Sequence, residues 1–284
     1  MCDDGFMKSS ELGTKYANST RLALKVRESI LKMTHAAQAS HVGSALSVAD
    51  ILAVLYSGIA SISPSSVNNA DRDIVILSKG HACVALYSVL GLCGYFPEEW
   101  LARFCNDGAE LSGHVTSINC PGVELSTGSL GHGLPYGVGI QLARKNCLIN
   151  GRSFVVMSDG ECDEGTTWES ALLANHHNLD TLFVIVDRNG IQSMGSTEET
   201  LALEPFESKW RSFGWTVRSI DGHDHEELRS ALLAPTVGRP TCIIANTLKG
   251  KGVQFMENEL LWHYRAPNDE ELFLGLSLLK GNKN

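Results

Sequence analysis

Residues 154–192, FVVMSDGECDEGTTWESALLANHHNLDTLFVIVDRNGIQ, decide the fold. Phe154-Val155-Val156-Met157 and Leu182-Phe183-Val184-Ile185-Val186 are short runs with apolar side chains on both faces, as in strands buried on both sides of a parallel sheet. Between them, residues 167–178 carry helical spacing, so the stretch reads as one βαβ unit with a right-handed crossover. Ser158-Asp159-Gly160 directly follows the first strand, and Asp187-Arg188-Asn189-Gly190-Ile191 follows the second. Asp159 and Asn189 are therefore expected together at the carboxyl ends of parallel strands, where open α/β sheets bind ligands.

One carboxylate and one amide oxygen, with a backbone carbonyl nearby, suit a hard cation. Magnesium takes six oxygens at about 2.0–2.1 Å and completes its shell with phosphate oxygens and water. Gly160 lets a diphosphate approach the backbone, and the helix N-terminus beyond it favours that anion. Singly, Asp-Gly after a strand is a common turn, and a strand-terminal Asn is an ordinary loop residue. Together, about thirty residues apart, they form a specific pattern.

Outward from this unit the alternation continues. Residues 19–39 have apolar positions at helical spacing (Leu22, Val26, Ile30, Met33, Ala37), and after the His41-Val42-Gly43 turn Ser47 is expected to cap a second helix. Residues 74–77 read as a strand and 81–92 as a helix. Strands at 216–220 and 241–245 flank a helix near 226–233. The prediction is an α/β fold, a single doubly wound parallel sheet with helices on both faces, over residues 16–275. A flexible lead-in is expected over 1–15 and a tail over 276–284.

The 284 residues are 43% hydrophobic and 19% charged, ordinary for a globular chain that builds its own core. The net charge of -9, scattered and without a basic run, argues against a nucleic-acid or membrane surface. Eight cysteines lie far apart with no CxxC pair, which removes zinc and thioredoxin-type readings and leaves small core residues in a reducing compartment. The polar N-terminus lacks a signal-peptide core, and no apolar run approaches the roughly 20 residues of a membrane span. A cytoplasmic location is the resulting expectation.

The segment SDGECDEGTTWESALLANHHNLDTLFVIVDRNGIQ resembles the cofactor signature of the thiamine-diphosphate enzymes, and of the transketolase family in particular. That signature opens with Gly-Asp-Gly, and here Ser158 stands in place of the first glycine. The resemblance implies that Asp159, Asn189 and the Ile191 carbonyl hold Mg2+ (with Ca2+ or Mn2+ as substitutes) and that Gly160 lines the diphosphate. It also implies that Glu164, carried as a catalytic candidate, and Glu169 face a neighbouring subunit near the cofactor's pyrimidine ring. On their own, both glutamates read as solvated groups near a helix N-terminus.

Four further blocks are similar to the same family, in its order. SHVGSALSVADILAVLY places His41 at the substrate, and DRDIVILSKGHACVALYSVLGLCGY places His81 on the diphosphate. LSGHVTSINCPGVELSTGSLGHGLPYGVG places His114 near substrate and cofactor, with Gly128 and Leu130 against the cofactor and Gly131 and Gly133 permitting a tight turn. KGKGVQFMENELLWHYRAP places His263 in the same cluster. His132 stands where the family often has Gln, and Tyr264 where it has Gly. Imidazoles suit these roles because they donate to diphosphate and sugar hydroxyls and move protons near neutral pH.

The resemblance spans residues 18–269 and implies the N-terminal subunit of a split transketolase-like enzyme. Full-length relatives continue into a pyrimidine-binding domain whose glutamate protonates the aminopyrimidine, and this chain has no place for it. The expected partner is a C-terminal subunit supplying that domain, in an α2β2 assembly. The expected reaction transfers a two-carbon ketol unit from a ketose, often a phosphate, to an aldose. Rival readings are an acyloin condensation or 2-oxoacid decarboxylation on the same scaffold, and a non-catalytic structural subunit.

Overall fold

The computed structural model describes residues 9–281. In chain order it forms α1 (Ser9–Ala37), α2 (Val42–Ser47), α3 (Ala49–Val54), β1 (Ile74–Leu77), α4 (Cys83–Leu92), α5 (Gly133–Cys147), β2 (Ser153–Ser158) and α6 (Gly165–His176). Then come β3 (Leu182–Arg188), α7 (Thr197–Thr200), α8 (Phe206–Ser212), β4 (Thr216–Asp221), α9 (His225–Leu232), β5 (Thr241–Asn246) and α10 (Asp269–Gly281). The five strands make one parallel sheet in the order β1-β2-β3-β5-β4. Each expected strand is present, lengthened by at most a residue or two at an end.

Alternation along the strands divides the core into two layers. Phe154, Val156, Phe183, Ile185 and Ile243 point to the side covered by α1, α3, α4 and α9. Val155, Met157, Val184, Val186 and Ile244 point to the other, against residues of α5, α6 and α8. The helices sort by direction of travel. From β2 to β3 and on to β4 the chain moves one way across the sheet, with α6 and α8 on one face. From β4 it steps back to β5, and α9 lies on the opposite face, as right-handed crossovers demand when progress reverses.

Several boundaries differ from expectation. The predicted lead-in is helical from Ser9, with residues 1–8 outside the described part. The predicted tail continues α10 to Gly281 with Leu279 buried, and residues 282–284 lie outside the described part. Limits at 16 and 275 therefore fall inside helices. Ser47 does not cap: it ends α2, is fully buried, and donates to Asp187 Oδ2 at 2.6 Å. Of the seven cysteines described, Cys83, Cys120, Cys162 and Cys242 are buried and all are free thiols. Among the described residues no helix is long and apolar enough to cross a membrane.

Register sets the site. Ser158 pairs with Asp187, and Asp187 with Ala245, so β2, β3 and β5 end level with one another. Phe183 is fully buried in mid-sheet with its ring 5.2 Å from that of Phe154. Replacing it by alanine (Phe183→Ala) should cost about 3–5 kcal/mol, read as a lower midpoint in urea unfolding at unchanged slope.

Candidate active site

A cavity of about 230 Å³ opens at the carboxyl ends of β1, β2, β3 and β5, and its wall gathers residues from eight separate segments. His41, His81, His114, His263, Gly128, Leu130, Asp159, Gly160, Asn189 and Ile191 all line it. Glu164 and Glu169 do not; both side chains face outward at the start of α6. A second cavity of about 410 Å³ adjoins through His41, His81 and His114 and extends to Gln38, Ser40, Phe104 and Tyr264.

The acidic end is built by the turns after β2 and β3. Asp159 is nearly fully buried; its Oδ1 accepts from the Gly160 amide at 2.9 Å and its Oδ2 from the Gly190 amide at 2.8 Å, with Arg188 at 3.4 Å. Burial raises its pKa despite these contacts. Asn189 Oδ1 accepts from the Ile191 amide at 3.2 Å, and the Ile191 carbonyl accepts from Lys249 Nζ at 2.8 Å. A positive charge thus already stands against one of the three oxygens expected to hold a metal. Among the described residues no group of three His, Cys, Asp or Glu side chains could hold a metal ion, so any cation here draws on amide and carbonyl oxygens.

Ser158 has ordinary extended angles (φ -83, ψ 160) that need no glycine. Its amide donates to Glu161 Oε2 at 2.8 Å, and the two residues form a reciprocal capping box around the turn Asp159–Asp163. The fully buried Glu161 also accepts through Oε1 from the Ser78 hydroxyl and from the Gly131 amide at 3.1 Å. Gly131 has φ +78 and lies so close to Glu164 that a Cβ would meet the Glu164 Cβ at 2.6 Å. Glu161 therefore joins the turns after β1 and β2 to the loop that carries Gly128 and Leu130.

The imidazoles converge at the other end. His41 lies 4.7 Å from His263, 5.2 Å from His81 and 6.1 Å from His114, centroid to centroid. His41 has left-handed backbone angles (φ 70, ψ 16) ahead of α2, its amide donates to the His263 carbonyl at 3.0 Å, and its Nδ1 is buried with no protein partner. Burial lowers its pKa to about 4, helped by His114, Lys249 and Lys79. His263 is lowered to about 4 by burial and Lys249, and His81 well below its ordinary value by burial and Lys79. All three are neutral at physiological pH. Lys249 Nζ lies 3.3 Å from His263 Nδ1, which makes that nitrogen the acceptor and puts the proton on Nε2. His132 is exposed at the start of α5 and does not line the cavity.

Tyr264 needs no glycine either, with φ -109 and ψ -25, and its hydroxyl donates to the Ser193 carbonyl, linking the His263 turn to the loop after β3. Sequence reasoning missed the two buried lysines altogether. Lys79 is fully buried, pairs with Asp187 Oδ2 and reaches the Ser44 carbonyl at 3.2 Å. Burial pushes the Asp187 carboxyl up, but Lys79, Ser47 and Thr247 outweigh it and hold the group below its ordinary value. Lys249 is lowered to about 8, first by burial and then by Lys79. The capping-box spacing of Ser158 and Glu161 was the one visible signal for any of these groups.

A buried carboxylate, amide and carbonyl thus stand at the ends of parallel strands of an α/β domain, facing neutral imidazoles. The comparisons give the family. The pattern described as "Transketolase, thiamine diphosphate binding domain" matches residues 19–273, and the chain belongs to the transketolase family. An apulose-4-phosphate transketolase subunit of Actinobacillus succinogenes is 40% identical over 84% of this chain and 87% of its own length. A 6-deoxy-6-sulfo-D-fructose transketolase subunit of a Clostridium species is 41% identical over 81% and 84% respectively. The solved transketolase of Campylobacter jejuni matches with a TM-score of 0.85 and 31% identity over 94% of this chain, but over only 43% of its own. The chain spans under half the length of the solved relatives.

Two outcomes follow for the isolated chain. Lys79→Met leaves Asp187 buried and unpaired and should cost about 3–5 kcal/mol in urea unfolding, with Lys79→Met/Asp187→Leu restoring part of the loss. The imidazoles of His41 and His263 take up protons near 6.5 when unfolded but only near 4 when folded, so their contribution to stability is lost as pH falls through that window. His263→Gln should flatten the stability-versus-pH curve between those limits.

Proposed function

We propose that this chain is the N-terminal subunit of a split transketolase-like enzyme that binds Mg2+ and thiamine diphosphate. With a C-terminal partner subunit bearing the pyrimidine-binding domain, in an α2β2 assembly, it transfers a two-carbon ketol unit from a ketose to an aldose. The observation that carries this reading is the convergence of His41, His81, His114 and His263 on one cavity whose floor is Asp159, Asn189 and Ile191. The naming of similar proteins as transketolase subunits adds support, and their substrates suggest a ketose with an anionic phosphate or sulfonate end.

Asp159 and Asn189 offer oxygens to a cation, and the Ile191 carbonyl, although it accepts from Lys249, keeps a second lone pair for it. A carboxylate raised by burial, with Arg188 3.4 Å away, gains from a divalent ion. The orphaned His41 Nδ1 is a buried polar atom awaiting a hydroxyl or phosphate oxygen. Asp159, Asn189 and the Ile191 carbonyl would hold Mg2+, while Gly160, Gly128, Leu130 and His81 would line the cofactor. Bound thiamine diphosphate supplies the carbon nucleophile and electron sink for breaking and forming the carbon–carbon bond.

The chain's own groups bind and orient. His81, neutral, donates to a diphosphate oxygen. His41, His114 and His263 hold sugar hydroxyls, and His263 can present its Nε2 proton because Lys249 occupies Nδ1. Glu164 and Glu169, facing outward, are available to a neighbouring subunit near the pyrimidine ring.

The test is to purify the chain with and without its partner and assay ketol transfer from phosphorylated, sulfonated and plain ketoses with thiamine diphosphate and Mg2+. Transfer by the complex alone is expected. Full activity of the isolated chain, or decarboxylation of pyruvate without ketose donor activity, would overturn the reading. Asp159→Ala should weaken Mg2+-dependent cofactor binding by ~100-fold, at the upper end of what residues merely behind a metal ligand contribute. Unchanged activity in that variant would favour a structural subunit.

A further inference from the structure

Away from the cavity, Asp50 in α3 is the centre of a buried cluster. Arg27 of α1 donates to Asp50 Oδ1 at 2.9 Å and to Oδ2 at 2.5 Å; His225 Nε2 lies 3.0 Å from Oδ1, and His223 Nδ1 lies 2.7 Å from Oδ2. The other nitrogen of His223 accepts from the Leu248 amide at 2.8 Å. That amide can only donate, so Nε2 carries no proton and the ring is neutral with its hydrogen on Nδ1, aimed at Asp50. Arg27 reaches the same turn from the far side, its Nε donating to the Lys251 carbonyl at 3.0 Å. The two contacts bracket Lys249, whose ammonium touches Ile191 O and His263 Nδ1.

We infer that His223 is a positioning residue for the active cavity: by accepting from Leu248 while anchored on Asp50, it sets the 247–251 turn that brings Lys249 to Ile191 and His263. This deepens the functional reading above and rests on it for the importance of Lys249, although the placement of the turn does not. A neutral imidazole is suited to the task because it donates on one edge and accepts on the other. Neither a cationic ring nor the opposite tautomer could meet the Leu248 amide.

Two substitutions separate positioning from simple burial of the Asp50 charge. His223→Gln puts an acceptor near the Nε2 position and gives up the contact to Asp50. His223→Asn keeps a donor near the Nδ1 position and gives up the acceptor. Amide hydrogen exchange of peptides covering 247–252 in the full chain, together with calorimetric titration of its complex with the partner subunit by thiamine diphosphate and Mg2+, reads the effect.

His223→Asn is expected to speed exchange in that segment and to weaken cofactor binding, each roughly tenfold, the cost of leaving one buried amide unpaired, with His223→Gln within about threefold of the parent. The reverse order, or equal loss in both, assigns His223 to burying Asp50 and overturns the inference. Faster exchange in His223→Asn with no cofactor binding by the parent complex of chain and partner subunit would sink the functional reading and leave the positioning of the turn standing. Nitrogen chemical shifts of the histidine-labelled parent chain need no variant to fold. A protonated Nε2 on His223 at neutral pH would by itself refute the assignment.

Discussion

The Lys79–Asp187 ion pair is the interaction on which the site is built. Both side chains are fully buried, where an incomplete pair costs several kcal/mol, so the arrangement holds only if every partner is in place. The partners are spread through the chain: Ser44 and Ser47 from α2, Asn189 after β3 and Thr247 after β5. Those segments, with the turn that follows β1, are the ones that carry His41, His81, Ile191 and Lys249. Satisfying one buried carboxylate therefore sets the mutual positions of the groups lining the cavity.

The electrostatics of the cavity follow from that frame. Two buried lysines face a cluster of imidazoles, and burial together with the ammonium charges keeps those rings neutral. Neutral rings can each donate and accept, which suits binding of hydroxyls more than storage of charge. Asp159, raised by burial, is the complementary group, and Lys249 links its side to the imidazoles by touching both the Ile191 carbonyl and His263 Nδ1.

Much of the fold was legible because β2, β3 and β5 are apolar on both faces, a pattern that only a doubly covered sheet explains. The helices were less so. Ser47 has the chemistry of a cap and is used instead to satisfy Asp187, a tertiary demand that local propensity does not encode. The four histidines were found through resemblance and not through spacing, since no period joins positions 41, 81, 114 and 263. Nothing in the local sequence marks Lys79, Lys249 or Asp50 as buried, because burial of a charged side chain is a property of the assembled chain. Glu161 was visible in principle: its three-residue offset from Ser158 is a capping-box signature.

That capping box bears on how this sequence can drift. Ser78, Gly131 and Ser158 share the Glu161 carboxylate, Ser78 through its hydroxyl and the other two through main-chain amides, so the contact ties Ser78 and Glu161 to each other by side chain and leaves position 158 free to vary. Losing the glutamate strands two backbone amides and a hydroxyl, whereas enlarging Gly131 drives the chain into Glu164. Ser78 and Glu161 should therefore be inherited together, whatever stands at 158. In such a lineage the first glycine of the cofactor signature is dispensable, and a search that insists on it would pass over chains with this site intact.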